Sequence, residues 1–592
     1  MDYSMVPSEA ANLQEKDLCE IGHNGEFHHN VMENRRSANY KPNIWKYDFL
    51  QSLTTKYDKK EFGMRLEELI KEAKCLFVEE INRLSKLELI STIQNLGLAN
   101  HFQEEIKEAL ETLISVKNNN NIRVHDDHGH VYTNAQCFKI LRQNGYDVSP
   151  DTLGTIFLSA KENEWKKPST SDEEIKGLIE LLEASYLALE SENILEEVRT
   201  FAINSLKKSA STKLLNSSDV SKQMVHHHAL ELPSHWRVEW FQVKRHIKEF
   251  EQNHNNHHHV LLELAKLNFN IVQANLQKEV KELSRWWKNL GLEKELNFAR
   301  NRMVESFMCA AGVSCEPKFK CLRKWLTKVI NFVLVIDDIY DVYASFEELK
   351  QFTLAVDGWD ANELEKLPKY MRICFQALND VTIETALEIS GGNNVDKVLP
   401  HIKRAWKDFC KSLYVEAKWC KEGYIPYLQE YLNNAWISSS GPVILLHAYF
   451  ATLYQPTHDI NNFLLQNQDF IFNVSLIIRL CNDLGTTVAE RERGDAASSI
   501  VCYMNQMDVT EEGARRHIED IIKRAWKKIN DHCFCFTAHQ LDASEQEFLN
   551  QAMNAARVAH TLYQNNGDGF GIQDGDIKKI ILSLLIEPFL DI

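Results

Sequence analysis

The chain has 592 residues, with 44% hydrophobic and 26% charged residues and a formal net charge of −17. This balance is typical of a globular chain, and no apolar run reaches the roughly 18 residues of a membrane span. Because the charge is negative and no sustained lysine and arginine block occurs, the sequence also argues against a nucleic-acid partner.

Few residues in the sequence would break helices. With 22 glycines and 12 prolines, the chain has little of the turn chemistry that many short strands require. The 13 cysteines are scattered and form no CxxC pair, which favours a reducing intracellular compartment over a disulfide framework. We therefore predict an all-α fold of long helices.

Residues 1–34 are acidic. They contain seven Asp and Glu residues but a single basic residue, Lys16. Organelle transit peptides are instead rich in arginine and poor in acids, and secretory signals carry an apolar core that this segment lacks. We expect a disordered leader and a cytoplasmic protein.

Residues 35–250 are predicted to form an N-terminal helical domain. Between Tyr47 and about Ser211, apolar residues recur at helical spacing. Polar runs near residues 118–129 and 167–172 predict loops between these helices. The histidine-rich runs 226–228 and 254–259 are interpreted as loops and not as metal sites, because adjacent histidines do not converge on one ion. We place the domain boundary near residue 250 and a second, larger domain at 251–592.

A cluster of acids follows an apolar helical segment in the second domain. Asp337 and Asp341 are four residues apart, so both carboxylates project from one helix face, with Asp338 about 100° around. Such acids repel one another unless cations neutralise them, and Mg²⁺ prefers carboxylate, water and phosphate oxygens. The alternative is a solvated acidic helix end.

A second oxygen-rich stripe lies downstream at Asn482, Thr486 and Glu490. Residues four apart on a helix drift by only about 40° per step, so the three side chains share one face. This stripe alone would also fit an ordinary exposed helix. Arginines precede both clusters, and guanidinium groups bind phosphate oxygens in a bidentate manner. Together these features predict a cage for a diphosphate and its metal ions.

The sequence resembles plant class I terpene synthases. The resemblance rests on Asp337-Asp338-x-x-Asp341, on the second motif at 482–490 and on the paired arginines Arg300-Asn301-Arg302. It also rests on Arg35-Arg36 followed by Trp45, and on the ending Tyr563-Gln-Asn-Asn-Gly-Asp568-Gly. These motifs run in the family's order from residue 35 to the end of the chain.

The resemblance implies an N-terminal helical barrel followed by a class I terpenoid synthase bundle. It implies that three Mg²⁺ ions, with Mn²⁺ as a substitute, are held by Asp337, Asp338, Asp341, Asn482, Thr486 and Glu490. It implies that the diphosphate is held by Arg300, Arg302 and Arg479. Asp337, Asp341 and Asn482 are expected to take part in substrate binding as well. Tyr563 and Asp568 are expected to belong to a lid and to act in catalysis.

Three segments are similar to the α-farnesene-forming members of the family, namely 35–45, 231–235 and 261–270. They imply conversion of farnesyl diphosphate into an acyclic C15 hydrocarbon. We separately expect the enzyme to be a monomer. Cys309 stands where most members carry a tryptophan, and Ser498 stands where many carry a lysine. Because an indole face stabilises carbocations, its absence at residue 309 argues against extensive cyclisation.

Other sequence features concern the pocket and the alternatives. The pocket residues predicted are Trp286, Phe307, Ile330, Tyr449 and Tyr563. Gly441-Pro442 predicts a break in a helix of the pocket.

One alternative is a monoterpene synthase that forms an ocimene-type or linalool-type product from geranyl diphosphate. A chain-elongating prenyl diphosphate synthase would need a second aspartate-rich motif, and a helical scaffold would have no metal-dependent turnover.

Overall fold

The structure is a computed structural model. It describes residues 38–80, 82–119, 129–151, 153–155, 157–158, 172–213, 229–253, 259–455, 459–534, 542–564, 569–571, 573 and 575–590. The leader, the tandem Arg35-Arg36, the histidine runs at 226–228 and 254–258, and Asp568 lie outside these residues. Their predicted roles stay predictions.

The described part before residue 254 is built from helices joined by loops. They are α1 (Tyr47–Ser52), α2 (Lys60–Glu79), α3 (Arg83–Asn95), α4 (Gln103–Asn119), α5 (Gly129–Gln143), α6 (Asp172–Ser185), α7 (Asn193–Lys213) and α8 (Glu239–Asn253). The predicted periodicity is confirmed in α2, where Leu69 and Ala73 are fully buried.

The part from residue 259 onward is also helical. Its first half contains α9 (His259–Leu290), α10 (Leu292–Glu295), α11 (Met303–Val313), α12 (Lys320–Asp338), α13 (Phe346–Gly358), α14 (Lys369–Ser390) and α15 (Val395–Glu422). Its second half contains α16 (Leu428–Ser438), α17 (Gly441–Thr452), α18 (Ile460–Gln466), α19 (Gln468–Arg493), α20 (Ser499–Met507), α21 (Glu511–Phe534), α22 (Ala543–Tyr563) and α23 (Asp576–Leu585). His259, the last residue of the predicted histidine-rich loop, is instead the first residue of α9.

The all-α prediction is confirmed, because the described residues contain helices and no strand. Within those same ranges, no helix combines the length and the apolar character that crossing a bilayer requires. Buried apolar side chains from both sides of residue 250 join in one core. The boundary near residue 250 therefore remains a prediction.

Direct contacts join the beginning and the end of the described chain. The Tyr57 hydroxyl donates to the Phe589 carbonyl (3.0 Å), and the Asn270 side chain bonds both the carbonyl and the N–H of Phe589 (2.8 Å each). Farther along, the Asn530 amide donates to the carbonyls of Tyr186 and Ala188. These bonds fix the N-terminal helices against the bundle that carries the predicted site.

Two irregular segments shape the bundle near the predicted site. Helix α12 continues into a π-helical turn, Ile339–Tyr343, which closes with the Ala344 N–H on the Ile339 carbonyl (3.0 Å). The predicted helix break is confirmed between α16 and α17, where Ser440 adopts φ +62°. A side chain at Gly441 would collide with Ser475 of α19, so glycine permits the close approach of these two helices.

Candidate diphosphate and metal site

The first acidic motif lies where α12 leaves the core. The segment before it is apolar and buried, with Ile336 fully enclosed, and the acids follow at the helix end. Asp337 keeps a third of its side chain exposed (33%), whereas Asp338 has none (0%). The two adjacent carboxylates therefore face different surroundings.

Asp338 is held by Arg300 and by the N-terminal segment. It accepts a hydrogen bond from the Arg300 backbone N–H (2.8 Å) and lies 2.9 Å from the Arg300 guanidinium. The Tyr40 hydroxyl also bonds to Asp338. Burial raises the pKa of this carboxyl, although the positive charge of Arg300 opposes the rise. Asp338 stays in the predicted ligand set, but its contacts here are those of a residue that orients Arg300.

Asp337 faces the open side of the same arginine. Arg300 Nη2 lies 2.5 Å from Asp337 Oδ2. One guanidinium thus bridges both acids of the motif. Because Arg300 is itself largely enclosed, with 12% of its side chain exposed, this cation has a defined orientation beside the predicted metal ligands.

Asp341 lies among carboxylates that come from several elements. Burial raises the pKa of Asp341 well above its usual range, and nearby negative charges raise it further. These charges belong to Asp337, Asp495, Glu416 and Glu490. Since such an effect requires proximity, the two predicted motifs face a common space.

The second motif forms the predicted stripe along α19. Thr486 Oγ1 lies 2.8 Å from the Asn482 carbonyl oxygen and 2.7 Å from Glu490 Oε1. Burial raises the pKa of Glu490 to about 7, with a further contribution from Asp483. The Asn482 side chain is bonded to Tyr563. The one-face geometry predicted from the spacing is therefore confirmed.

Asp483, the second residue of this motif, points into the protein. It is fully buried and accepts hydrogen bonds from the Tyr431 hydroxyl (3.0 and 2.9 Å) and the Ser499 N–H (3.0 Å). Arg479 Nε lies 3.0 Å from its Oδ1. Asp483 thus fixes α16, α20 and the arginine around α19.

Arg479 occupies a pocket of anionic and polar partners. Its Nε donates to the Tyr431 hydroxyl (2.7 Å), and its Nη2 lies 3.5 Å from Glu416 Oε2. Glu416 is buried and also accepts hydrogen bonds from Ser438 (2.5 Å) and Asn434 (3.1 Å). As predicted, Arg479 lies on the side of α19 that faces the acids, where Glu490 adds to the negative potential around it.

Arg302 has contacts that differ from the predicted diphosphate contact. Its guanidinium is buried and donates to the carbonyls of Phe570 (2.6 Å), Gly571 (3.3 Å), Lys41 (3.4 Å) and Asn301 (2.9 Å). The carbonyls of Phe570, Gly571 and Lys41 come from the two ends of the described chain. In this structure Arg302 therefore joins two segments beside the site, and direct binding of the diphosphate by Arg302 stays a prediction.

Tyr563 lies between the two motifs. Its side chain is bonded to Asn482, while Arg300, Asp337 and Cys309 lie near enough to influence its pKa, which burial raises. Gly569 packs against the tyrosine ring, because a Cβ at residue 569 would lie 2.5 Å from the ring carbon Cε1. The close approach explains the glycine at this position.

Gly569→Ala should displace Tyr563 and lower turnover by about tenfold, since a methyl group cannot fit at this distance and the displaced tyrosine would lose its bond to Asn482. Gly391→Ala is the matched control, because Gly391 also has a positive φ (+60°) but nothing lies within 4 Å of its Cβ position. Steady-state turnover with thermal unfolding of both variants checks the expectation. Equal effects of the two substitutions would contradict a specific role for the contact with Tyr563.

The predicted pocket residues have different environments. Phe307, Ile330 and Tyr449 are buried within the bundle. Trp286 instead lines a shallow cavity of about 630 Å³ on α9 with Glu282 and Arg285, and its ring lies 5.0 Å from Lys328. The structure does not bring Trp286 to the acidic motifs.

The oxygen donors suit Mg²⁺ better than a metal that prefers nitrogen or sulfur. Among the described residues, no three His, Cys, Asp or Glu side chains lie close enough together to bind an ion by themselves. Mg²⁺ needs only one or two carboxylates when water and phosphate oxygens complete its octahedron. The facing acids, the Thr486 hydroxyl and the Asn482 amide fit that requirement.

Sequence reasoning missed three residues of the site. Glu416 follows Phe409 and Leu413 on the buried face of α15. An acid on an otherwise apolar helix face could have indicated a functional residue. Tyr40 lies inside the segment that carried the family resemblance. Nothing in the sequence around Tyr431 indicated its bonds to Arg479 and Asp483.

Two sequence families match the chain. Residues 44–230 match the family described as "Terpene synthase, N-terminal domain", and residues 288–528 match "Terpene synthase family, metal binding domain". The second match includes both acidic motifs and both arginines that face them.

Three curated relatives are similar over nearly the whole chain. An α-farnesene synthase from Ricinus communis is 50% identical and covers 94% of this chain and 96% of its own. An (E,E)-α-farnesene synthase from Malus domestica is 48% identical, with 95% of each chain covered. A chloroplastic trans-ocimene synthase from Litsea cubeba is 41% identical and covers 95% of this chain and 93% of its own.

Two solved structures are similar in fold. Limonene synthase with 2-fluorolinalyl diphosphate has a TM-score of 0.83 at 34% identity, covering 94% of this chain and all of the other. Isoprene synthase from grey poplar, Populus x canescens, in complex with three Mg²⁺ ions and dimethylallyl-S-thiolodiphosphate, has a TM-score of 0.77 at 35% identity. That comparison covers 93% of this chain and 99% of the other.

Proposed function

The chain belongs to the terpene synthase family, and from this premise we propose that it converts farnesyl diphosphate into α-farnesene and inorganic diphosphate. Ionisation of a diphosphate is supported by the proximity of the two motifs. Glu490 is near enough to raise the pKa of Asp341, and Arg300 and Arg479 pair with acids beside them, Asp337 and Glu416. The choice of α-farnesene is supported by the two farnesene-forming relatives, which are similar over nearly the full chain.

We propose that Asp337, Asp341, Asn482, Thr486 and Glu490 hold three Mg²⁺ ions, with Mn²⁺ as a substitute. The isoprene synthase complex with three Mg²⁺ ions supports this number. When bound, Mg²⁺ supplies positive charge to the departing diphosphate. Asp338 contributes by holding Arg300 in position. We also propose that the protein is a monomer and has no nucleic-acid partner.

The reaction begins with cleavage of the bond between the allylic carbon and the diphosphate oxygen. The electron pair leaves with the diphosphate, so negative charge grows on its oxygens, towards which Arg300 and Arg479 can donate hydrogen bonds. Both guanidinium groups are largely enclosed, with 12% and 16% of their side chains exposed. Because water is largely excluded there, their electrostatic effect is greater than in bulk solvent.

The reaction ends with loss of a proton from the carbon next to the allylic cation. The proton can pass to the released diphosphate or to a carbonyl at the break between α16 and α17, and both acceptors remain open. The buried apolar side chains, including Phe307 and Tyr449, keep water from adding to the cation. Deprotonation without ring closure gives the acyclic product.

The direct test is to incubate the purified full chain with farnesyl and geranyl diphosphates separately, each with Mg²⁺, and to identify the products by gas chromatography and mass spectrometry. We expect α-farnesene from the C15 substrate. A monoterpene synthase would instead prefer the C10 substrate, an alternative supported by the similarity to the trans-ocimene synthase. Absence of turnover with either substrate would indicate a helical scaffold.

Cys309→Trp should raise the fraction of cyclic minor products. Cys309 is buried and lies close to Tyr563, and an indole there would offer a π-face worth about 1–2 kcal/mol to a folded cation. A difference of about 1.4 kcal/mol changes a rate ratio tenfold. Product analysis should include Cys309→Leu, which adds volume without an aromatic face. An equal shift in both variants would assign the effect to volume alone.

We further propose that the enzyme acts in the cytoplasm, where plants supply the C15 precursor. The acidity of residues 1–34 supports this location, since transit peptides are poor in acids. A fluorescent reporter fused behind residues 1–45, and the full chain with the reporter at its C-terminus, should both stay outside plastids in plant cells. Import of either fusion would favour geranyl diphosphate and an ocimene-type product.

A further inference from the structure

The segment just before α1 is fastened beside the diphosphate site. The Ile44 N–H donates to Gln573 Oε1 (3.0 Å), and the Trp45 indole donates to Glu305 Oε1 (2.9 Å). Gln573 also donates to the same Glu305 oxygen (2.8 Å). Buried Glu305 thus joins the beginning and the end of the described chain at α11, so residues 40–45 have a fixed position.

Within this segment, Tyr40 reaches the first acidic motif. Its hydroxyl is hydrogen-bonded to Asp338, and its ring centroid lies 5.0 Å from the Arg300 guanidinium. Asp338 in turn bonds both the backbone N–H and the guanidinium of Arg300. Tyr40, Asp338 and Arg300 therefore form a closed set in which each residue contacts the other two.

These contacts restrict Arg300 before any ligand binds. An arginine side chain has several rotatable bonds, and its planar donors bind a phosphate well only in the correct orientation. The guanidinium lies over the ring of Tyr40, while the tyrosine hydroxyl bonds the Asp338 carboxylate that orients the guanidinium. Holding a charged donor in place in advance lowers the reorganisation required when charge develops.

On the basis of the proposed function, we propose that Tyr40 is a positioning residue of the diphosphate site. It acts through Asp338 and Arg300 and does not itself react. The N-terminal segment thereby contributes to stabilising the leaving group, although the proposed metal ligands and arginines all lie in the second part of the chain. A role in packing alone would predict a change in stability without a specific change in diphosphate binding.

The test compares Tyr40→Phe with the wild-type chain, using inorganic pyrophosphate with Mg²⁺ as the probe. The variant keeps the ring and loses the hydroxyl bond to a carboxylate, so the Kd measured by calorimetry should rise about tenfold. With farnesyl diphosphate, kcat should also fall, because Arg300 donates to the charge that grows on the diphosphate in the transition state.

Tyr57→Phe is the matched control. It removes a buried tyrosine hydroxyl that donates to the Phe589 carbonyl (3.0 Å), a bond that also joins the two ends of the described chain. We expect a lower Tm with the pyrophosphate Kd unchanged within about twofold. An equal loss of binding in both tyrosine variants would overturn the positioning role in favour of general stabilisation.

A double-variant cycle then tests whether Tyr40 acts through Arg300. In an Arg300→Lys background, where the guanidinium that Asp338 orients is absent, Tyr40→Phe should change the pyrophosphate Kd by less than about twofold. Additive effects would overturn the proposed route, as would a Tyr40→Phe variant with normal Kd and kcat.

The inference and the proposed function can fail separately. If the wild-type chain binds pyrophosphate with Mg²⁺ but forms no farnesene, the product assignment is wrong, and the comparison of Tyr40→Phe with Tyr57→Phe still decides the role of Tyr40. If the wild-type chain does not bind this probe, both proposals are overturned.

Discussion

Asp337→Asn is expected to lower turnover of farnesyl diphosphate by at least about a hundredfold, because loss of one metal-ligand charge removes several kcal/mol of stabilisation from the leaving group. The partial exposure of Asp337 suits it to bind a metal ion. A third of its side chain is accessible at the edge of the site, whereas that of Asp338 is fully enclosed. The asparagine keeps the shape of the side chain and removes its charge.

The measurement should separate chemistry from folding. Steady-state kinetics and thermal unfolding are measured with and without Mg²⁺ and pyrophosphate. We expect Asp337→Asn to keep the ligand-free Tm but to lose most of the increase that the added ligands produce in the wild type. Asp380→Asn, at an exposed acid of α14, is the control and should stay within about twofold of wild-type turnover.

Asp338→Asn should behave differently from its neighbour. Because Asp338 is buried against Arg300 and Tyr40, its replacement leaves the guanidinium without its enclosed partner, and the ligand-free Tm should fall. Nearly full activity in folded Asp337→Asn would contradict the proposed site. Identical behaviour of the two variants would contradict the distinction between a ligand and a residue that orients Arg300.

The parts of the fold that follow from local sequence could be predicted. The apolar series before Asp337 predicted a buried helix, and α12 places Ile336 in the core. The 40° step from Asn482 to Glu490 predicted one face, and the contact between Thr486 and Glu490 agrees (2.7 Å). Gly441 and Pro442 predicted the helix break. Each of these features depends on backbone geometry within a few residues.

The remaining features depend on residues far apart in the chain. The arginine spacing gave Arg300 and Arg302 similar roles, but packing directs only Arg300 towards the acids, while Arg302 binds carbonyls from both ends of the described chain. Tyr40 reaches Asp338 only because the N-terminal segment folds back across the bundle. Such pairings arise from tertiary packing and cannot be deduced from local sequence patterns.

The π-helical turn limits prediction in another way. The helical spacing of Asp337 and Asp341 assumed a regular α-helix, yet the chain widens into a π turn immediately after Asp338. Such turns are uncommon and often occur at functional sites. Asp341 lies in this wider turn, where Glu416 and Glu490 are near enough to raise the pKa of its carboxyl.

Arg479→Met is expected to cause the second large effect, and it should reduce both stability and activity. Arg479 lies between two buried carboxylates, 3.0 Å from Asp483 and 3.5 Å from Glu416. Removal of the Arg479 guanidinium leaves the buried carboxylates of Asp483 and Glu416 without their shared positive charge. This loss should lower the free energy of unfolding by about 3–5 kcal/mol. Loss of a guanidinium from the leaving-group site should also lower kcat by at least about a hundredfold.

Two companion variants separate these effects. Arg516→Met is the matched control on neighbouring α21, because Arg516 pairs with Glu512 of the same helix (3.8 Å) at an exposed position, where an ion pair contributes only about 0–1 kcal/mol. Arg479→Lys keeps the positive charge but loses the planar donors, so it should recover much of the stability and little of the kcat. Turnover must be measured well below the Tm of each variant. If Arg479→Lys recovers stability and activity equally, the enclosed charge matters and the directed donors do not. If Arg479→Met is as stable as Arg516→Met, the buried network around Asp483 is not what holds α19 in place.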